Sequence, residues 1–432
     1  MDNWMQGFLD AVSKEIRWKA AKPVVLRELR DHMEDRYDAL IADGVGPERA
    51  VQTAVASMGD PVQVGKALDA VHRPKTLRGF LFPIAAMAAI SLLLWLFAFY
   101  DSDDPVHWIW LPLGATAIGL ALMACLSRIR WNGLLPYLWM IALPVWIFLM
   151  IAADLYYPDM SSRWTEYCAL LAPLAYGSVV YGCRGKGEKG LLCSGAVLIV
   201  LFRIMKVFLF SPLGELCLFI TGAAILLCAV SSGSFGRKRT GYLLTGLILV
   251  VVFVLFAGST LDDMLRLKRI YADYETLYGA VLRHSRLLGA GEVFEIEEYG
   301  YMRIMSPYEL NDVIIVGEGD HFLGSVIYRF GWIPGIVLAA AVVMFFVFVL
   351  RMGLRQSCVW SRLLSIAVVV PMLLQAGLHI INNCVTVCIS SQLPLLSYGN
   401  AHRVMDLCLL GLLCSTFRTK TILRDAPIRS ST

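Results

Sequence analysis

Charge is the scarce commodity in this chain: Lys, Arg, Asp and Glu make up 17% of its 432 residues, against about 25% in a typical soluble protein. So little charge beside so much apolar side chain argues against a disordered, collagen-like or nucleic-acid-binding chain. The hydrolase and nucleotide signatures GxSxG, HExxH and GxxxxGK[ST] are also missing, which argues against a soluble protease or nucleotidase. No basic stretch runs into an apolar core at the start, so no signal peptide is expected and the N-terminus is expected in the cytoplasm. The 11 cysteines fall mainly in apolar stretches, as at Cys168, Cys193, Cys217, Cys228, Cys408 and Cys414. They read as small hydrophobes, with neither a disulfide framework nor a metal-ligand set. What is abundant is apolar side chain, at 58% of the residues, with a mean hydropathy of +0.64. The bilayer must therefore be the main solvent of the fold.

Residues 1–75 hold the frequent charges that the remainder lacks, and they contain no run near the ~20 apolar residues a span requires. Leu26, Leu29, Met33, Tyr37 and Leu40 recur every three or four positions and predict one face of an amphipathic helix. Gly44 supplies its stop and Pro47 opens a second helix, with Ala50, Val51, Ala54, Val55 and Met58 facing inward. A third begins at the Asp60-Pro61 cap. The segment ELRDHMEDRYDALIADGVGPERAVQTAVASMGDP resembles the helical prefix domain at the N-terminus of bacterial permease-type proteins. That resemblance implies a cytoplasmic three-helix domain without chemistry of its own, and His32 reads as a surface residue.

From residue 76 to 432 the expectation is an all-α, polytopic membrane domain. Ten apolar segments are present, at 77–100, 107–126, 133–153, 165–183, 188–210, 212–231, 240–258, 321–350, 362–384 and 393–416. With the N-terminus inside, the inner connections would carry Arg128 and Arg130, then Arg184, Lys186 and Lys189, then Arg237, Lys238 and Arg239. Arg351, Arg355, Arg362, Arg418, Lys420 and Arg424 continue the series. The outer connections would carry Asp101, Asp103, Asp104, Asp154 and Asp159. This Lys/Arg bias predicts a cell-membrane protein with both termini cytoplasmic. One outer connection, at about 259–320, is far longer than the rest, and long loops in compact proteins are usually functional.

That loop ends in GDHFLGSVIYRFGWIPG, and the last apolar segment opens with SQLPLLSYGN. Together these resemble the FtsW/RodA/SpoVE (SEDS) family, whose patterns TDFIFAVLAEELG and PLPFISYGG they follow. Asp320 to Gly331 keeps the family's Asp-to-Gly spacing, and Leu393 to Gly399 matches the second pattern. Ser162-Arg163-Trp164, Lys268-Arg269-Ile270 and Leu288-Gly289-Ala290-Gly291 echo further family features in the right order. The chain departs from the family at Tyr328 and Arg329, where paired acidic residues are usual, at Asn400 in place of a second glycine, and in having no Gln-Pro-Ser-Glu stretch after Trp164.

The resemblance implies a glycosyltransferase of bacterial wall synthesis, active in division, cell shape or sporulation. Its reaction joins the disaccharide of one polyprenyl-linked precursor to the 4-hydroxyl of another at the outer face. Such a reaction needs a base, positive charge for the departing pyrophosphate, and an apolar groove for the lipid. Asp320, at the start of a helix whose free N–H groups favour an anion, is the candidate base, with simple helix capping as the competing role. Arg203 and Lys206, costly at membrane depth, are candidates for the pyrophosphate, with snorkelling as the alternative. Arg163 and Trp164 are candidates for contact with sugar or headgroup, and Lys268, Arg269, Ser397 and Tyr398 enter through the motifs. His402, Arg403 and Asp406 share a helix face and are expected to line the same outer cavity as Asp320, with an internal ion pair as the competing account. The implied partners are membrane lipid, the precursor and a class B penicillin-binding protein, with no nucleic acid. The cofactor is left unknown and a divalent cation is left open. A non-catalytic scaffold or sensor and a precursor flippase are the competing functions.

Overall fold

The structure, a computed structural model, describes residues 2–19, 21–72, 78–99, 110–129, 131, 134–156, 161–208, 212–270, 279–298, 301–305, 322–385, 391–397, 399–419 and 425. Two compact units emerge: 1–76 with 418–424, and 77–417 with 425–432.

In the first unit the three expected helices are joined by a fourth. Helix α1 (Asp2–Glu15) precedes α2 (Lys22–Ala42), α3 (Pro47–Ser57) and α4 (Pro61–His72). Its apolar residues Met5, Phe8, Leu9 and Val12 recur at helical spacing and pack, together with Ile16 just beyond it, against Val25, Leu29 and Met33 of α2. Ala50, Val51 and Ala54 are the buried residues of α3. The Asp60 carboxylate accepts the N–H groups of Val62 at 3.3 Å and Gln63 at 3.2 Å, capping α4. Buried Asp69 accepts the N–H of Arg17 at 2.9 Å, fastening α4 to the end of α1. His32 is exposed.

The second unit contains α5 (Arg78–Phe99), α6 (Leu111–Leu126), α7 (Leu138–Tyr156), α8 (Ser161–Cys183), α9 (Gly187–Phe208), α10 (Pro212–Ser231) and α11 (Lys238–Ile270). A hairpin of β1 (Phe294–Glu298) and β2 (Tyr301–Met305) follows, then α12 (Phe322–Phe330), α13 (Trp332–Leu354), α14 (Val359–Val385) and α15 (Asn400–Arg418). Among the described residues, four stretches are by themselves long and apolar enough to cross a membrane: Gly214–Ser231, Lys238–Gly258, Trp332–Leu354 and Val359–Cys384. Helices α8, α10 and α14 pack on one another, α9 joins α8 and α11, and α12 lies against α13 and α14. Small residues let backbones close up. A Cβ on Gly119 of α6 would come 2.6 Å from Leu407 of α15, and one on Gly411 would come 2.8 Å from the Met123 backbone.

Three segments differ from the sequence expectation. The run 321–350 is not one span: it breaks at Gly331, whose φ of 102° lies in the left-handed region, separating α12 from α13. The carbonyl of Leu287 would sit 2.6 Å from a Cβ there, so only glycine fits both the turn and the close approach. The run 393–416 begins as loop, and its helix starts at Asn400. The segment 259–320 begins as helix, because α11 continues to Ile270.

The expected inner connections meet at one end of the bundle. Gly185 donates its N–H to Ser234 O at 2.8 Å. Trp360 lies 5.5 Å from both Trp131 and Tyr181 between ring centroids. Arg184 covers the Tyr181 ring at 3.9 Å and pairs with Asp425 at 3.1 Å. Asp425 in turn accepts the N–H groups of Val359 at 3.0 Å and Trp360 at 3.4 Å and the thiol of Cys358 at 3.0 Å. It thus caps α14 from 66 residues away. Burial works against this carboxylate, but the hydrogen bonds from Val359 and Cys358 and the charge of Arg184 outweigh it, holding its pKa below the ordinary range. Burial first, and the neighbouring Asp425 next, push the Cys358 thiol up to about 12, so it stays protonated and donates.

Candidate functional site

At 1.5 Å per residue, His379 lies about 30 Å along α14 from Val359, at the opposite end of the bundle. Here α14 carries Gln375, His379, Asn382 and Asn383, all buried. Their spacing of four and then three or four places them along one helix face. Polar groups at such depth are costly unless partnered, and they mark working parts of membrane proteins. His379 Nδ1 is 2.7 Å from the carbonyl of Ser391, and its Nε2 accepts the N–H of Leu323 at 3.4 Å. Asn383 accepts the N–H of Gly324 at 2.9 Å and donates to His379 O at 2.8 Å. Two N–H groups of the first turn of α12, which have no partner within their own helix, are therefore received by side chains of α14.

The loop 391–397 sits beside this junction. Its backbone is irregular yet buried, an arrangement tolerated at membrane depth only where protein supplies the missing partners. Ser397 Oγ accepts the N–H of Leu393 at 2.7 Å, and Asp406 accepts that of Leu395 at 2.9 Å. Ser91 of α5 donates to Leu396 O at 3.0 Å. Leu395 adopts φ 67°, an unfavourable conformation for a leucine that survives because its N–H is held by Asp406 and its side chain is buried. Gly399, φ 148°, leads into α15.

Arg403 is the hub behind the loop. It donates to Ser91 Oγ at 2.8 Å, to Thr116 Oγ1 at 3.2 Å and to Pro112 O at 3.4 Å. His402 Nε2 stands 3.7 Å from Asp406 Oδ1. All three side chains are sealed, with Asp406 at 0% exposure. The structure thus gathers Ser397, His402, Arg403 and Asp406 into one internal network that holds the loop to α5, α6 and α15.

The other sequence candidates are distributed differently. Arg203 is exposed on α9. Lys206 on α9, Arg163 and Trp164 on the first turn of α8, and Lys268 and Arg269 near the end of α11 have side chains outside the described residues. Asp320 and Tyr398 lie outside them altogether. Tyr328, where the family pattern has an acidic residue, is buried and donates its hydroxyl to Glu292 O at 2.7 Å. The Leu288-to-Gly291 stretch packs on the break after α12: Gly289 N–H reaches Phe330 O at 2.9 Å and Gly291 N–H reaches Tyr328 O at 2.7 Å.

Against known structures, the chain superposes with a TM-score of 0.55 and 15% identity, over 79% of its length and 97% of the other's, on a chain of a peptidoglycan synthase complex. That structure comes from a study of how the complex coordinates polymerization and crosslinking. This chain has a RodA-like fold. A mutant of the rod-shape-determining protein RodA of Thermus thermophilus aligns at the same 15% identity, 79% and 97% coverage, with a TM-score of 0.50. No family model matches the chain, and no curated protein does. The RodA-like fold is that of a polytopic, multi-pass membrane protein, with the loop 391–397 and α12 side by side at one end.

The polar face of α14 is the part that sequence reasoning missed. Its signal was present, since Gln375, His379, Asn382 and Asn383 interrupt an apolar segment at helical spacing. The segment's mean hydropathy of 2.1 concealed it.

Proposed function

We propose that the protein polymerises a polyprenyl-linked disaccharide precursor at the outer face of the bacterial membrane, in cell-wall assembly. The RodA-like fold over 79% of the chain carries this reading, together with the motifs around Asp320 and Ser397. In this reading Asp320, three residues before Leu323 in sequence, takes the proton from the attacking hydroxyl. Arg203, Lys206, Arg163, Trp164, Lys268 and Arg269 are the cationic and aromatic candidates for pyrophosphate, sugar and headgroup. Ser397, His402, Arg403 and Asp406 hold the outer loop in shape, and Tyr398 is a further candidate for substrate contact through its motif. A crosslinking penicillin-binding protein is the proposed partner, in division, elongation or sporulation, with both termini cytoplasmic and residues 1–75 as a cytoplasmic prefix domain.

The Asp320→Asn variant, purified and given lipid-linked precursor, is expected to lose about 100-fold or more of its polymerising rate while keeping its melting temperature. Unchanged polymerisation would overturn the assignment. One observation favours a non-catalytic scaffold or flippase: Tyr328 spends its hydroxyl on Glu292 O at a position where the family pattern has a carboxylate. Absence of polymer from the unmodified protein, even with a penicillin-binding partner present, would decide for that reading.

A further inference from the structure

His379 stands between two elements that the fold must keep in register. A carbonyl oxygen can only accept, so the 2.7 Å contact with Ser391 O requires a proton on Nδ1. The N–H of Leu323 can only donate, so the 3.4 Å contact requires a bare Nε2. The ring is therefore neutral, in a single tautomer, with one edge on the start of the loop 391–397 and the other on the first turn of α12. Asn383, one turn further along α14, takes the next amide of α12, Gly324, and returns a hydrogen bond to His379 O. Neither contact is a helix cap from within α12. Both are made by a different helix, so they fix where α12 begins in space.

From this geometry we infer that His379 is a positioning residue: it clamps the start of α12 to the start of the loop 391–397, and Asn383 braces it. The inference rests on the proposed function in one respect, that the two joined elements carry the Asp320 and Ser-Tyr-Gly motifs. The clamp itself stands on the hydrogen bonds alone. Its role in sugar transfer is to set distance and orientation, so its loss acts on turnover and leaves precursor binding nearly unchanged.

Three variants of the full-length protein in lipid nanodiscs test this. His379→Asn keeps a donor near the Nδ1 position, His379→Gln keeps an acceptor near the Nε2 position, and His379→Phe keeps volume but neither group. Amide hydrogen exchange at Leu323 and Gly324, read without any substrate, is expected to quicken about tenfold or more in the Phe variant. The Gln variant should stay near the unmodified protein at these amides, and the Asn variant should fall between. Precursor polymerisation should lose on the order of 100-fold in kcat in the Phe variant, with KM within about twofold, and the Gln variant should recover part of it. The 15N shifts of the unmodified ring should report the Nδ1-protonated tautomer. Unchanged exchange at Leu323 in both the Gln and Phe variants, or an Nε2-protonated ring, would overturn the clamp. If the Phe variant does not fold, slower exchange at Leu323 in Gln than in Asn supports the clamp, and equal or faster exchange refutes it. Should the unmodified protein make no polymer, exchange and ring shifts still decide the clamp, and only the polymerase reading falls.

Discussion

Arg403 and Asp406 are two buried ionisable groups on one turn of α15; Arg403 is committed to the Ser91 and Thr116 hydroxyls and the Pro112 carbonyl, and Asp406 to the Leu395 N–H. Removing one member of such a set leaves the other desolvated and uncompensated, which typically costs about 3–5 kcal/mol. Arg403→Met should therefore lower the melting temperature of the purified protein sharply, and Asp406→Asn should do so less, because an amide oxygen can still accept the Leu395 N–H. Thermal unfolding in detergent, followed by near-ultraviolet circular dichroism, measures both. A loss of polymerisation without any drop in stability would instead place these side chains in contact with substrate. The sequence showed that the residues share a helix face and suggested that they line the same outer cavity as Asp320, with an internal ion pair as the competing account. The partners of Arg403, namely Ser91, Thr116 and the Pro112 carbonyl, approach from chain positions 287 to 312 residues away. Local spacing carries no information about such partners.

At the scale of elements, helices and their caps were the most legible. The Asp60 cap, the Gly44 stop and the apolar faces of α2 and α3 follow from periodicity and capping chemistry alone. Breaks inside apolar runs were not legible, because hydropathy averages over the residue that makes the break. Gly331 combines a left-handed backbone with the Leu287 carbonyl beneath it, so Gly331→Ala should cost about 1–3 kcal/mol. Neighbouring Gly335→Ala meets the Ile327 side chain at 2.4 Å but has no backbone strain. Its cost should be smaller, since a side chain can move where a carbonyl cannot. Urea unfolding of the two variants separates strain from packing, and a Gly331 variant as stable as the unmodified protein would show that the break is not maintained by this residue.

For the whole molecule, the basic connections gather at one end, where Arg184, Trp360, Trp131 and Asp425 interlock. From the positive-inside rule we propose that this end faces the cytoplasm. Cysteines introduced at Arg237 and Arg355, in a background freed of reactive thiols, should label with a membrane-impermeant maleimide only after the cells are opened. Labelling of intact cells would invert the topology. The Asp425 contacts also carry a pH sign. A carboxylate whose folded-state pKa lies below its unfolded value contributes stability at any pH above that unfolded value, and loses it as the pH falls through the folded one. Acidification should therefore loosen this end only beneath the usual carboxylate range, and Asp425→Asn should abolish that acid-dependent part while leaving neutral-pH stability only modestly lower. Hydrogen exchange at Val359 between acid and neutral pH reads the difference.

The polar face of α14 has a consequence for how the chain enters the membrane. A helix with a mean hydropathy of 2.1 still partitions into lipid, but Gln375, His379, Asn382 and Asn383 arrive there as unsatisfied groups in hydrocarbon. Their relief depends on the order of synthesis. The α12 amides that meet His379 and Asn383 come 56 and 59 residues earlier and are made first, whereas the Ser391 carbonyl follows His379 by only 12 residues. His379 thus finds one half of its partnership waiting and the other half next off the ribosome, whereas both partners of Asn383 precede it.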